Sequence, residues 1–182
     1  MIITVTGRIG SGKDTVIKLL NVPAHYTIID ADAIGHQLLT HERIIQKVGE
    51  IFPSAVVNGT INRKALAKEA FPDRVELLNA IMHPEITKEI KNKLSKDTLI
   101  NAALLDALNL KEISNTVIFI NTEVNVSIDR LKDTFSKEDV LNRIKSQKPV
   151  DWYLSHADIV LNNNGSLEDL KKEISTKCQN LF

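Results

Sequence analysis

Apolar residues follow two kinds of spacing along this chain, and the two alternate. Five short runs rich in Ile, Val and Thr occupy residues 2–6, 26–29, 98–100, 116–120 and 158–161. These runs do not alternate with polar positions, which is typical of strands covered on both faces, as in a parallel sheet. Between them, apolar residues recur at helical spacing, so the pattern predicts an α/β fold built from β-α-β units.

Two of the helical segments carry a well-defined apolar stripe. The longer stripe consists of Val75, Leu78, Met82, Ile86, Ile90 and Leu94. Pro84 lies within it and removes one backbone hydrogen bond, so this helix is predicted to be kinked or divided. A second stripe, near the C-terminus, consists of Leu167, Leu170, Ile174 and Leu181. Ser166 and Asp169 are spaced as a capping box that starts this helix.

The stretch between the second and third predicted strands, residues 30–97, is too long for one crossover helix. It predicts several helices, which form an inserted lobe over about residues 40–96. No linker rich in Pro, Gly or Ser separates this lobe from the rest of the sequence, so a single domain over residues 1–182 is predicted.

A glycine-rich loop with a lysine follows the first predicted strand directly. It consists of Gly7, Arg8, Ile9, Gly10, Ser11, Gly12 and Lys13. Helix-compatible residues follow from Thr15, so this is the G-x-x-x-x-G-K pattern of a phosphate-binding loop in its strand–loop–helix context. Glycines let the backbone curl so that N–H groups face phosphate oxygens, and the helix N-terminus adds partial positive charge. Lys13 reaches the β- and γ-phosphates. The loop predicts nucleotide binding, and the chain's size favours a small-molecule kinase.

The residue after the lysine departs from this motif, which has Ser or Thr there to ligate Mg²⁺ through a hydroxyl. Here it is Asp14, followed by Thr15. Three roles are open for Asp14: it contacts Mg²⁺ or its waters, it caps the helix, or it faces solvent. A carboxylate at this position also repels the phosphates of a nucleotide.

Two further carboxylates follow the second predicted strand. Asp30 and Asp32 lie at its carboxyl end, where ligands bind in open α/β sheets. A kinase that acts on an alcohol needs a group that orients the hydroxyl and accepts its proton, and an aspartate facing the phosphate loop provides one. Alternatively, either residue is the N-cap of the helix that contains Ile34, Leu38 and Leu39.

Charge and cysteine content narrow the range of partners. Lys plus Arg and Asp plus Glu both number 23, so the net charge is zero and nothing favours a broad nucleic-acid or membrane surface. The single cysteine, Cys178, cannot form an internal disulfide, which favours a reducing compartment.

Residues 1–5 do not resemble a secretion signal and no apolar run is long enough to span a bilayer, so a cytoplasmic location is expected. The oligomeric state is left open.

Further motifs follow the phosphate loop in a fixed order. They are Ile29-Asp30-Ala31-Asp32, residues 58–66 with Phe71, residues 78–84 (Leu-Asn-x-x-x-His-Pro), residues 102–105, the trio Arg130, Arg143 and Gln147, and residues 157–165 (Ala-Asp-x-Val-x-x-Asn-x-Gly). Each motif alone is weakly specific. Together, over residues 2–165, they resemble the motifs of the dephospho-coenzyme A kinase family.

The resemblance implies a fold and a reaction. The family fold is a five-stranded parallel sheet with a helical lobe for the acceptor substrate and a short lid, here about residues 130–147. The reaction is phosphorylation of the ribose 3′-hydroxyl of dephospho-coenzyme A by ATP with Mg²⁺, which gives coenzyme A and ADP. It is the last step of coenzyme A biosynthesis.

On the ATP side, the resemblance implies that Lys13 steadies the transferred phosphoryl group and that Asn162 lies beside the adenine. Arg130 and Arg143 would neutralise phosphate charge as the lid closes. The residues themselves leave alternatives open. Arg130, next to Asp129, fits a solvated helix face, and Asn162 fits a turn.

On the acceptor side, the resemblance implies that Asp32 is the catalytic base or orienting carboxylate. Arg63 and His83 would contact dephospho-coenzyme A. From the residues alone, Arg63 is an exposed residue at a helix start, and His83 is a structural histidine before a proline on an apolar stripe.

Four departures from the family pattern stand out. Asp14 replaces a hydroxyl residue, and Asn101 stands where the family has an aspartate that helps to hold Mg²⁺ through water. These two changes are interpreted as one swap, in which Asp14 supplies the charge that is lost at Asn101. In addition, residues 106–107 are Asp-Ala instead of Phe-Glu, and the stretch 130–147 is about two residues short. This stretch lacks the second lid arginine that the family has near position 132. Lys132 can supply a positive charge there, but as a point charge and not as a planar guanidinium.

The departures keep two other functions open. One is a degenerate kinase fold that binds nucleotide or coenzyme A without catalysis, and the other is a P-loop kinase for a different small alcohol. Lys13, Asp32, Arg130 and Arg143 favour catalysis over the first alternative. The Leu-Asn-x-x-x-His-Pro and Asn-x-Gly motifs favour dephospho-coenzyme A over the second.

Overall fold

Seven strands, ten α-helices and one short 3-10 helix (Pro53–Ala55) form from residues 1–71 and 73–182, the residues that a computed structural model of the chain describes. The strands are β1 (Ile2–Thr6), β2 (Thr27–Asp30), β3 (Val56–Val57), β4 (Thr60–Ile61), β5 (Thr98–Asn101), β6 (Thr116–Asn121) and β7 (Ile159–Asn162). The helices are α1 (Lys13–Leu19), α2 (Ala31–Leu38), α3 (Glu42–Ile51), α4 (Arg63–Ala70), α5 (Val75–Lys93), α6 (Leu110–Ile113), α7 (Val124–Leu131), α8 (Lys137–Lys145), α9 (Val150–His156) and α10 (Leu167–Lys177). None of these helices is long and apolar enough to cross a membrane.

The described residues form two compact units. The first, here called the sheet unit, comprises Met1–Asp30 and Leu94–Phe182, and the second, the helical unit, comprises Ala31–Lys93. The chain therefore leaves the sheet unit at the end of β2 and returns to it just before β5.

The sheet unit contains one parallel sheet of five strands in the order β2-β5-β1-β6-β7. This confirms the predicted α/β class, and each predicted strand lies within one residue of the observed one at either end. The central strand β1 is buried on both faces, since Ile3, Thr4, Val5 and Thr6 are all 0% exposed. Burial on both faces is the reason why the strand sequences do not alternate between apolar and polar residues.

Polar side chains gather at the carboxyl edge of this sheet. Asp30 at the end of β2 lies in register with Asn101 at the end of β5. On the other side of β1, Asn121 at the end of β6 lies in register with Asn162 at the end of β7. Because all five strands run the same way, their last residues meet at one edge, the edge from which the glycine-rich loop leaves β1.

The last helix, α10, begins as predicted. Ser166 accepts the backbone N–H of Asp169, and the Asp169 carboxylate accepts the N–H of Ser166, which completes the capping box. The predicted stripe is only partly correct. Leu170 and Ile174 are buried, but Leu167 is 51% exposed, and Leu181, although buried, lies beyond the end of the helix.

In the helical unit, α5 runs unbroken through Pro84 for 19 residues, so of the two predicted outcomes, a kinked or a divided helix, the divided one is wrong. Met82 and Ile90 of its apolar stripe are buried. Proline removes the hydrogen bond to the carbonyl four residues earlier, here that of Ala80. Ala80 and Pro84 are both exposed, so water can satisfy this carbonyl and the helix continues.

The helical unit also contains a hairpin that was not predicted from the sequence. Strands β3 and β4 pair antiparallel, and between them Asn58 and Gly59 have φ angles of 51° and 74°. Two consecutive left-handed residues make the type I′ turn that suits a two-residue hairpin. The Asn-Gly pair between β-branched residues is itself a hairpin signal, whereas the apolar pattern of the segment predicts only helices.

The backbone conformation of two glycines, Gly59 in this turn and Gly35 in α2, predicts opposite effects of Gly→Ala substitutions on stability. Gly59→Ala should lower the free energy of unfolding by roughly 1 kcal/mol, because Gly59 has positive φ although nothing lies within 4 Å of an added Cβ. Gly35→Ala should instead raise it by roughly 0.5 kcal/mol, because Gly35 lies in α2 and its Cβ would meet only Ile86 Cδ1 at 3.4 Å. Urea denaturation followed by circular dichroism measures both, and a shift of the same sign in both variants would contradict the assignment.

Candidate active site

The glycine-rich loop has the backbone conformation that its sequence predicts. It leaves β1 at Gly7 and enters α1 at Lys13. Gly10 and Gly12 have φ angles of 75° and 86°, in the left-handed region that only glycine adopts without strain. Lys13 Nζ donates a hydrogen bond to the carbonyl of Gly7 at 3.1 Å, so the lysine folds back over the loop. This arrangement suits a phosphate group held by backbone N–H groups and one ammonium.

Carbonyl groups of the loop are held from the opposite side by three side chains. The Ser11 carbonyl accepts hydrogen bonds from Asn163 Nδ2 at 2.8 Å and from Thr122 Oγ1 at 3.3 Å. Arg130 Nη1 donates to the carbonyls of Gly10 at 3.3 Å and Ser11 at 3.4 Å. We call Asn163, Thr122 and Arg130 the loop clamp.

Arg130, a predicted site residue, bonds to Asn163 as well as to the loop. Its Nη2 donates to the backbone carbonyl of Asn163 at 3.0 Å and to Asn163 Oδ1 at 3.1 Å. Burial lowers the pKa of Arg130, although an arginine stays protonated at neutral pH. The guanidinium therefore brings a positive charge to the phosphate loop, and this contact distinguishes it from a merely solvated residue on α7.

The stretch after Arg130 also returns to the loop. Gln147, which follows α8, accepts the backbone N–H of Ile9 through its Oε1 at 3.0 Å. Arg143, in the last turn of α8, lies with its guanidinium carbon 4.6 Å from the centre of the Phe135 ring. The lid assignment for residues 130–147 stays a prediction, with both of its end residues, Arg130 and Gln147, bonded to the phosphate loop.

Three polar side chains meet beside the start of α1. Asn101 is 8% exposed, and its Nδ2 donates to Asp14 Oδ1 at 2.8 Å and to Asp30 Oδ2 at 3.1 Å. An ionised carboxylate only accepts hydrogen bonds, so the amide must turn its NH₂ group toward both acids. Its Oδ1 is buried and has no hydrogen-bond partner among the described residues. The two departures recognised in the sequence, Asp14 and Asn101, are therefore in direct contact.

These side chains suit Mg²⁺ but do not form a closed cage for it. Asp14 and Asp30 offer carboxylate oxygens, which Mg²⁺ prefers, and they lie next to the phosphate loop. Within residues 1–71 and 73–182, no three His, Cys, Asp or Glu side chains are placed to hold a metal ion together. One or two carboxylates are enough for Mg²⁺ where substrate phosphates complete its coordination.

The predicted acceptor-side residues lie in the helical unit. Asp32 is exposed in the first turn of α2, where a negative charge is favourable, and Arg63 is exposed at the first position of α4, after the N-cap Asn62. His83 is half-buried in the middle of α5. Arg63 lines a cavity of about 310 Å³ together with apolar side chains such as Ile45. His83 is not among the residues that line this cavity.

Asn162 and Asn163 differ sharply in position. Asn162 is exposed, accepts a hydrogen bond from Asn121 Nδ2 at 3.1 Å and donates to Glu173 Oε1 at 3.5 Å. Its predicted place beside adenine stays a prediction. Asn163 is 5% exposed and belongs to the loop clamp. The signal for Asn163 was present, since the Asn-x-Gly motif that ends at Gly165 has its asparagine at position 163.

A glycine-rich loop after the central strand of a five-stranded parallel sheet, with a lysine folded over it, defines the class of P-loop nucleotide-binding proteins, to which small-molecule kinases belong. Comparisons with known proteins give the family. The family model described as CoaE, dephospho-CoA kinase, matches residues 1–169. The chain belongs to the dephospho-CoA kinase family, which catalyses the last step of coenzyme A biosynthesis with ATP as co-substrate.

Individual relatives agree with this membership. The dephospho-CoA kinase of Dehalococcoides mccartyi is 38% identical over 93% of this chain and 92% of its own length. That of Carboxydothermus hydrogenoformans is 35% identical over 98% of this chain and 93% of its own length. Among solved structures, TT1252 from Thermus thermophilus is 30% identical with a TM-score of 0.77, covering 100% of this chain and 98% of that one. A shikimate kinase from Acinetobacter baumannii, 18% identical with a TM-score of 0.56 over 95% of this chain and 89% of its own, shares the fold.

The contact between the loop and Asn163 predicts the effect of Gly12→Ala. A Cβ at Gly12 would lie 2.6 Å from Asn163 Nδ2, and the φ of 86° is strained for alanine. We expect the dissociation constant for ATP, measured by titration calorimetry, to rise by about tenfold or more. Gly59→Ala is the matched control, because it has similar backbone strain but open space around the added Cβ and lies outside the loop. Unchanged ATP affinity in Gly12→Ala would show that the loop tolerates the displacement of Asn163.

Proposed function

We propose that this protein transfers the γ-phosphoryl group of ATP to the ribose 3′-hydroxyl of dephospho-coenzyme A, which gives coenzyme A and ADP. The observation that carries the proposal is the glycine-rich loop, with Gly10 and Gly12 at positive φ and Lys13 bonded back to Gly7, within a chain of this family. The substrates are small molecules. A cytoplasmic location and the absence of nucleic-acid or membrane partners stay predictions that rest on the zero net charge and the single cysteine.

On the ATP side, the loop residues 7–15 bind the phosphates and Lys13 steadies the phosphoryl group during transfer. Arg130 offsets negative charge from its place on the loop carbonyls, and Arg143 adds a second guanidinium from α8. Asn162 lies at the end of β7 and contributes to the adenine site. These roles rest on the family resemblance and on the polar edge of the sheet.

On the acceptor side, Asp32 orients the ribose 3′-hydroxyl and accepts its proton. The hydroxyl oxygen forms a bond to the γ-phosphorus as the bond from that phosphorus to the β-γ bridging oxygen breaks, and ADP leaves with the bonding electron pair. Arg63 and His83 bind dephospho-coenzyme A. Support for Arg63 comes from its place on the wall of the 310 Å³ cavity, whose apolar and cationic lining suits a substrate with both apolar and phosphate groups.

Asp14 is the proposed protein ligand for Mg²⁺, directly or through water, with Asp30 beside it. Held there, a Mg²⁺ ion would offset the negative charge of the ATP phosphates. Asn101 holds both carboxylates in place without adding a third negative charge. Electrostatic repulsion among the acids and the phosphates is lower with this neutral amide than with an aspartate at position 101.

The reaction itself is the first test. Purified protein is incubated with ATP, Mg²⁺ and dephospho-coenzyme A, and the products are separated by mass-resolved chromatography. Coenzyme A and ADP should form in equal amounts. Tight binding of both ligands without product would indicate a degenerate binding protein, and turnover only with another alcohol would indicate a different kinase.

Asp32→Asn should abolish most turnover and leave ATP affinity unchanged. The amide cannot accept the hydroxyl proton, and we expect the rate constant kcat to fall by about a hundredfold or more. Titration calorimetry with ATP gives the affinity, and steady-state kinetics give kcat. Asp151→Asn, which removes an exposed carboxylate from the first turn of α9, is the matched control. Turnover of Asp32→Asn at the parent rate would exclude Asp32 as the base.

The contact between Asp14 and Asn101 predicts a non-additive pair of substitutions. Asn101→Asp alone brings a third carboxylate next to Asp14 and Asp30, and the three repel one another. Asp14→Ser alone removes the carboxylate that accepts a hydrogen bond from Asn101. The double variant restores two carboxylates and a hydroxyl, so its affinity for Mg²⁺-ATP should exceed that of either single variant. Calorimetric titration of each protein with ATP, with and without Mg²⁺, measures this. If the effects of the two single substitutions on Mg²⁺-ATP affinity simply add in the double variant, Asp14 does not compensate for Asn101.

A further inference from the structure

We infer that Asn163 is a positioning residue of the phosphate loop, which fixes the direction of the Ser11–Gly12 peptide from the end of β7. This inference rests on the proposed function, in which the loop binds ATP. It assigns to Asn163 a role distinct from that of its exposed neighbour Asn162.

Both the side chain and the backbone of Asn163 form hydrogen bonds. Its Nδ2 donates to the Ser11 carbonyl at 2.8 Å, and its Oδ1 accepts from Arg130 Nη2 at 3.1 Å. Its backbone N–H donates to Asn121, and its carbonyl accepts from Thr122 Oγ1 and Arg130 Nη2. The side chain is 5% exposed and follows directly on a strand of the central sheet, so its position is fixed independently of any ligand.

The bond to Ser11 controls an N–H group that the loop offers to phosphate. A peptide group is planar and trans, so its C=O and N–H point in opposite directions. Holding the Ser11 carbonyl toward Asn163 therefore turns the Gly12 N–H away from Asn163. The same bond maintains the left-handed φ of 86° at Gly12, where a Cβ would lie only 2.6 Å from Asn163 Nδ2.

Within the loop clamp, Asn163 makes the shortest bond to this carbonyl. Thr122 Oγ1 lies 3.3 Å and Arg130 Nη1 3.4 Å from the Ser11 oxygen, and each of these atoms has a second acceptor. Arg130 belongs to α7, at the start of the predicted lid, whereas Asn163 directly follows β7 of the sheet. The sheet therefore supplies the constraint that persists if the lid moves.

The test compares Asn163→Asp with Asn164→Asp. At neutral pH, the carboxylate introduced by Asn163→Asp would keep an oxygen for Arg130 but would set a second oxygen against the Ser11 carbonyl, so repulsion replaces attraction. Asn164 is an exposed residue whose Oδ1 accepts the Glu123 N–H at 2.8 Å, and an aspartate keeps that bond. Both variants add one negative charge at neighbouring positions, which matches their long-range repulsion of ATP.

For Asn163→Asp we expect the KM for ATP and the calorimetric dissociation constant for ATP to rise by about tenfold, with the KM for dephospho-coenzyme A unchanged. Asn164→Asp, which carries the same added charge, should change the KM and the dissociation constant for ATP by less than about twofold and leave the KM for dephospho-coenzyme A at the parent level. A purely structural role would lower the active fraction and thus the apparent kcat, with both KM values unaltered, and that result would overturn the inference. A parent protein that fails to bind ATP would overturn the proposed function first and this inference with it.

If Asn163→Asp does not fold, Thr122→Val tests the same carbonyl. Valine keeps the shape of threonine and removes the donor at 3.3 Å from the Ser11 oxygen. The KM for ATP should rise selectively again, by about threefold because this bond is longer. An unchanged KM for ATP in a folded Thr122→Val protein would contradict control of the loop through the Ser11 carbonyl.

Discussion

Parallel pairing on both sides of β1 is the constraint on which the rest of the sheet unit depends. β1 pairs with β5 and with β6, so the phosphate loop leaves the sheet at its centre, with two strand ends on each side. On one side those ends supply Asp30 and Asn101, and on the other they lead into Thr122 and Asn163. Because the strands run parallel, the pair Asp30 and Asn101 and the loop clamp flank the phosphate loop from opposite sides.

Electrostatics explains why the two sides differ in chemistry. Asp14 and Asp30 share the NH₂ group of Asn101, which gives both carboxylates a donor and adds no charge. On the clamp side, the donors include a guanidinium, and all of them bond to carbonyl oxygens of the loop. Carbonyls held on that side leave the peptide N–H groups directed away from it, which suits a loop that binds an anion.

Much of the fold and part of the site were predictable from local signals. Continuous apolar runs indicated buried parallel strands, and the spacing of Ser166 and Asp169 indicated the start of α10. The G-x-x-x-x-G-K pattern directly after a strand predicted a curled phosphate-binding loop, because few other structures have this pattern between a strand and a helix. Helices are predicted around Asn58-Gly59, where a hairpin forms, because the neighbouring segments are helical. A kink or a division is predicted at Pro84, because local sequence does not show that the carbonyl which Pro84 leaves without a backbone partner is exposed.

The sequence by itself determined the order of the strands along the chain, the phosphate loop and the membership of the family, since these depend on local patterns and on motifs in a fixed order. Only the tertiary structure decided that Asp14 contacts Asn101 and that Asn163, not Asn162, donates a hydrogen bond to the Ser11 carbonyl of the loop. Asn163 is 152 residues from Ser11 along the chain. The Asn-x-Gly motif marks position 163, but the contact of Asn163 with Ser11 depends on where β7 lies in the sheet, which local sequence does not encode.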